Sequence, residues 1–104
     1  MRDAFFDALY DIAKNDSNVL CLAADMGAFS LNRFKKDLSR QYINVGVAEQ
    51  NLVSVAAGLA LGGKRVFIYA IAPFITQRCY EQIKIDLSCM CLPVTLVGVG
   101  AGIA

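Results

Sequence analysis

The stretch Ile43-Asn44-Val45-Gly46-Val47-Ala48-Glu49-Gln50-Asn51 decides the fold. In it an apolar strand ends, turns at Gly46 and delivers one carboxylate into the start of a long apolar helix. No charged residue follows Glu49 until Lys64, so the acid stands at the edge of a segment suited to burial. A carboxylate in that position needs a partner or has a chemical use. Glu49 is therefore the first candidate functional residue.

Outward from this turn, Gln41 to Val45 reads as a strand. Beyond it, Leu52, Val53, Val55, Ala56, Leu59 and Ala60 occupy most faces of a helix that stops near Gly62-Gly63. A helix apolar nearly all round is a central, buried one. Gly58 and Gly62 would let a partner approach closely along one side. Such spacing also suits helix pairing in lipid, but Glu49, Gln50 and Lys64-Arg65 leave too short a run to span a bilayer.

Arg65 to Ile71 predicts a third strand, broken at Pro73. The helix predicted from about Phe74 to Ser88 turns Ile75, Cys79, Ile83 and Leu87 inward, and Thr95 to Val99 predicts a last strand. On the N-terminal side, Phe5, Leu9, Ile12 and Ala13 mark one buried face of a helix over Asp3–Lys14, with Asp3 as its cap and Lys14 suited to the last turn. Asn15 to Asn18 is a loop. The continuous apolar run Val19–Ala23 suits a strand covered on both faces, and it ends at Asp25. A short surface helix over Leu31–Leu38 follows.

The order α-β-α-β-α-β-α-β, with connections too long for hairpins, implies an α/β sheet that is wholly or mainly parallel. Ligands of such sheets bind beyond the carboxyl ends of the strands. Asp25, Gly46 to Glu49, Pro73-Phe74 and Gly98 to Gly102 all belong to that rim.

The 104 residues allow one domain of modest core, or part of something larger. With 57% apolar and 18% charged residues, the chain carries more apolar surface than an ordinary soluble domain, suggesting a face covered by another domain or subunit. A net charge of +1 offers no footprint for nucleic acid or an anionic membrane. The chain has four cysteines without Cys-x-x-Cys spacing and no histidine, which points to buried reduced thiols in a cytoplasmic protein rather than a zinc site. The eighteen uncharged residues from Leu87 to Ala104 reach membrane-span length. Pro93, the β-branched run and the glycines after it favour a buried strand leaving into a turn.

Four blocks in series carry a family resemblance: Ala23-Ala24-Asp25-Met26-Gly27, then Asn44-Val45-Gly46-Val47-Ala48-Glu49-Gln50-Asn51, then Ala56-Ala57-Gly58-Leu59-Ala60-Leu61-Gly62-Gly63-Lys64, then Phe74 to Gln82. Together they resemble the pyrimidine-binding domain of transketolase-like thiamine diphosphate enzymes, over the whole chain 1–104. The resemblance implies a three-layer parallel-sheet fold, incomplete at the C-terminus. It implies that Glu49 hydrogen-bonds the cofactor's aminopyrimidine, sharing a proton with the ring nitrogen so that the exocyclic nitrogen can deprotonate thiazolium C2. The carbon so formed attacks a ketose carbonyl, with the cofactor as electron sink. A carboxylate that simply caps backbone N–H groups at the helix entry is the plain alternative.

By the same resemblance Phe74 stacks on the aminopyrimidine, Gln77 and Tyr80 are further pocket residues, and Asp25 lies near the thiazolium or a subunit interface. Gln77 departs from the aromatic or arginine expected there, and Arg78 could serve instead or be a plain surface charge. Glu81 and Gln82 suit a structural or interface role. Nothing matches the family's Gly-Asp-Gly motif for Mg²⁺ and diphosphate. A diphosphate-binding partner domain or subunit is thus expected to hold both, in a homo- or hetero-oligomer.

The chain stops where the family's substrate loop should begin, which reads as the N-terminal part of the smaller subunit of a split transketolase. Such an enzyme transfers a two-carbon ketol unit between sugar phosphates or related sugars. Alone, the chain is expected to be inactive and, with an uncovered sheet edge, to associate. A 1-deoxyxylulose-5-phosphate synthase or the β subunit of a 2-oxo acid dehydrogenase would use Glu49 identically on a 2-oxo acid. A non-catalytic interaction module is the remaining alternative.

Overall fold

The computed structural model describes residues 1–102. Four strands, β1 (Val19–Ala23), β2 (Tyr42–Asn44), β3 (Arg65–Ile71) and β4 (Val94–Val99), form one parallel sheet in the order β2-β1-β3-β4. Helices α1 (Arg2–Ala13) and α2 (Phe29–Asp37) cover one face, while α3 (Glu49–Leu61), α4 (Ala72–Thr76) and the segment behind it cover the other. The alternation of side chains along β1 divides the two cores. Leu20 and Leu22 point to the α3 layer, and Val19, Cys21 and Ala23 to the α1–α2 layer. All five are buried, as expected for a strand enclosed in a parallel sheet.

Helix α1 meets the sheet through Leu9 and Ala13, as its periodicity suggests, but Phe6 rather than Ile12 completes the buried stripe. Phe6, Leu9 and Ala13 are buried, Phe5 is half-buried and Ile12 is 45% exposed. The tertiary partner decides this register, because the Phe6 ring packs edge-on against Tyr69 of β3 at 4.8 Å. Asp3 does not cap its own helix. Its Oδ1 accepts the backbone N–H of Ser30, in the first turn of α2.

The helix predicted over Phe74–Ser88 is broken. After α4 the chain turns through residues 77–79, forms one short α-helical turn, α5 (Tyr80–Gln82), and winds wider as a π-helix over Ile83–Ser88. The apolar positions recur every four residues, and an α-helix of 3.6 residues per turn would rotate each about 40° further from the core. The looser winding keeps Ile75, Cys79 and Leu87 buried, with Ile83 packed beside them.

Two of the four cysteines depart from the expected burial. Cys89 and Cys91 are exposed, because the chain ends its π turn there, with Cys91 at φ +53° and the Leu92 N–H bonded to the Leu87 carbonyl. Cys21 and Cys79 are buried. Burial pushes the Cys21 thiol up from 9.0 to about 12. Because the folded value is the raised one, this contribution to stability is complete below pH 9 and lost as pH climbs toward 12. A thiol reagent at pH 8 should label Cys89 and Cys91 rapidly, and Cys21 and Cys79 only on unfolding. Fast reaction of all four in the native protein would contradict the packing.

No helix among the described residues is long and apolar enough to cross a membrane. The run considered for that role instead holds the end of the π-helix, a turn and β4, and its last two residues lie outside the described chain.

Candidate functional site

Asn44, at the end of β2, builds the rim of the site. Its side-chain Oδ1 accepts the backbone N–H of Asp25 at 2.9 Å and that of Gly46 at 3.0 Å, tying the ends of β1 and β2 together. The turn then needs φ +80° at Gly46, a conformation glycine adopts without strain. The Ala48 N–H closes it on the Gly46 carbonyl at 2.8 Å. Glu49 follows as the first residue of α3.

The Glu49 carboxylate is buried, with 5% of the residue exposed. It does not cap α3, whose N-cap carries no side-chain hydrogen bond. Its partner is Arg78, whose Nη1 donates to Oε2 at 3.4 Å. The same guanidinium lies over the Phe74 ring, 4.2 Å from its centroid. Gln50 donates from Nε2 to the Arg78 carbonyl at 3.3 Å, fixing the backbone of that residue against the start of α3. Val47, Ala48, Glu49, Gln50, Asn51 and Arg78 line a cleft of about 420 Å³.

The structure thus brings Glu49 and Phe74 into contact with one flat cation. The other sequence-derived candidates stand apart from that pair. Gln77 is exposed and Tyr80 is 67% exposed, and among the described residues neither makes a side-chain hydrogen bond. Asp25, also exposed, has φ +54° and is held by Asn44, whose Nδ2 approaches its Oδ1 at 3.4 Å. Glu81 is exposed, and Gln82 is half-buried with a buried amide oxygen that finds no donor among the described residues. Sequence reasoning gave Asn44 no role, although a polar residue ending an apolar strand was a signal. It considered Arg78 as a substitute for Gln77 or a surface charge, not as the partner of Glu49.

The chain as a whole has counterparts among known proteins. The family model described as "Transketolase, pyrimidine binding domain" matches residues 1–104. The chain belongs to that family. This pyrimidine-binding domain is 38% identical over 104 residues to one subunit of the apulose-4-phosphate transketolase of Phocaeicola vulgatus, covering 99% of the chain and 33% of that relative. A 1-deoxy-D-xylulose-5-phosphate synthase of Corynebacterium glutamicum is 37% identical over 94 residues, covering 89% of the chain and 15% of the synthase. The solved structure titled "Split gene transketolase, inactive beta4 tetramer" superimposes with a TM-score of 0.83 at 32% identity, over 93% of this chain and 32% of that one. The domain therefore spans about a third of the transketolase subunits it matches.

Membership implies thiamine diphosphate as cofactor, and the residues present fit one half of it. A flat, cationic, N–H-bearing group between an aromatic face and a buried carboxylate is already accommodated, in the form of the Arg78 guanidinium. An aminopyrimidine makes the same two demands.

Proposed function

We propose that this domain supplies the pyrimidine-binding half of a thiamine diphosphate site in a transketolase-type transferase. The complete enzyme would move a two-carbon ketol unit between sugar phosphates or related sugars. The observation that supports this reading best is the placement of the buried Glu49 carboxylate and the Phe74 ring around one planar cation. When bound, the cofactor supplies the nucleophilic carbon and the electron sink.

The chain's own residues do the rest. Glu49, sheltered at the start of α3, holds a proton at the ring nitrogen. Phe74 offers a flat face that orients the ring, and Ala48 and Gln50 line the cleft around it. Asp25, Gln77 and Tyr80 stand apart from Glu49 and Phe74, and in this reading they complete the pocket when the partner closes over it. Mg²⁺ and the diphosphate are held by a diphosphate-binding partner subunit or domain, without which the chain is inactive. Free thiols at all four cysteines suit a cytoplasmic setting.

The test is calorimetric titration of thiamine diphosphate with Mg²⁺ into the subunit assembled with its diphosphate-binding partner. Binding is expected, and Phe74→Ala should weaken it by about tenfold, the worth of one stacking or cation–π contact. Absence of binding by the wild-type assembly would refute the reading.

A second reading has the synthase relatives in its favour. A 1-deoxyxylulose-5-phosphate synthase, or a 2-oxo acid dehydrogenase β subunit, would draw on the same two residues. Turnover of a 2-oxo acid donor in place of a ketose would establish it.

A further inference from the structure

The geometry points to Arg78 as an internal stand-in for the cofactor's ring: it occupies the Phe74 face and the Glu49 carboxylate, and it must leave both before the aminopyrimidine can bind. This rests on the function proposed above and adds a residue that competes with the cofactor.

Arg78 makes both contacts assigned to the ring. Its guanidinium is planar, cationic and rich in N–H donors, as the aminopyrimidine is when it shares a proton with Glu49. Its Cζ lies over the Phe74 ring 4.2 Å from the centroid, within cation–π range, and no second planar group fits between the two. With Nη1 3.4 Å from Glu49 Oε2, the guanidinium fills the position of a ring N–H donor. One site cannot hold both groups, so the two states exclude each other.

The arrangement has a reason before the cofactor arrives. Glu49 is buried, and a buried carboxylate without a partner is costly. Arg78 neutralises it until the ring takes its place. The exchange is also mechanically easy. The Arg78 side chain is 49% exposed, so it can swing into water without leaving a hole in the core. Its carbonyl stays anchored by Gln50, so the backbone need not move. The apparent affinity for the cofactor is then reduced by the fraction of molecules in which Arg78 occupies the site.

The experiment measures thiamine diphosphate affinity by calorimetry and its association rate by stopped-flow circular dichroism, using the full subunit assembled with its diphosphate-binding partner and Mg²⁺. Arg78→Met should bind about tenfold more tightly and associate faster, since one partly buried ion pair and one cation–π contact no longer compete. Arg78→Lys keeps the charge but loses the flat fork, and should fall between Met and wild type. In a Glu49→Gln background the gain from Arg78→Met should shrink, because the charge that holds Arg78 is gone. Weaker binding by Arg78→Met would make Arg78 a cofactor ligand and overturn the proposal, and unchanged affinity and rate would overturn it too. Should the Met variant fail to fold, Arg78→Gln provides the same comparison. Failure of the wild-type assembly to bind the cofactor at all would instead count against the proposed function.

Discussion

Glu49→Gln in the assembled enzyme is expected to lower ketol transfer by about 10²-fold or more at saturating cofactor. The amide keeps the size of the carboxyl group and can still accept a hydrogen bond, but it cannot hold and return a proton. Proton transfer by a positioned group contributes roughly 10²–10⁴-fold to a rate. Cofactor affinity should move far less than the rate, which separates a chemical role from a binding one. The fold should hardly notice. The substitution removes a buried charge, and its partner Arg78 is half exposed and can be solvated where it stands. Steady-state rates over a cofactor titration, with a melting curve as control, provide the measurement. Full activity in this variant would leave the domain as an interaction module, with its acid serving only as a structural partner for Arg78.

Phe6→Ala should destabilise the chain by about 3–5 kcal/mol, the usual range for deleting a fully enclosed aromatic side chain. Phe6 is 0% exposed, and its edge-on contact with Tyr69, at an interplanar angle of 84°, adds a geometric term to the buried area. That is a large share of the roughly 5–15 kcal/mol that holds a small domain together. Ile12→Ala provides the comparison on the same helix. With Ile12 45% exposed, its loss should cost about 1 kcal/mol or less. Urea denaturation of the two variants reads the register of α1 directly. Equal losses, or a larger one for Ile12, would mean that α1 sits on the sheet through the other stripe.

These two positions also mark where sequence reading succeeds and where it stops. Glu49 stood out because fourteen uncharged residues separate it from Lys64 and because a glycine turn feeds it into a helix. Both are local facts, and the structure places the acid buried at the start of α3. Phe6 did not stand out, since Phe5 and Phe6 fit a helical stripe almost equally well. Only Tyr69, sixty-three positions away, distinguishes them. The site divides in the same way. Phe74 was singled out by the family resemblance, whereas the bridging role of Arg78 depends on a turn at residues 77–79 that interrupts the predicted helix. A continuous helix would have pointed Arg78 elsewhere.

What the sequence determined by itself was the alternation of helices and buried strands, the parallel sheet it requires, and the delivery of one acid to the carboxyl-terminal rim. Those features follow from periodicity, strand length and turn chemistry, each confined to a few neighbouring residues. What only the tertiary structure decided was the register of α1, the loosened path from Phe74 to Ser88, the exposure of Cys89 and Cys91, and the meeting of Glu49 with Phe74 through Arg78. The physical reason is that close packing and ion pairing act between residues distant in the chain, where no local pattern reports which of two nearly equivalent faces will find its partner.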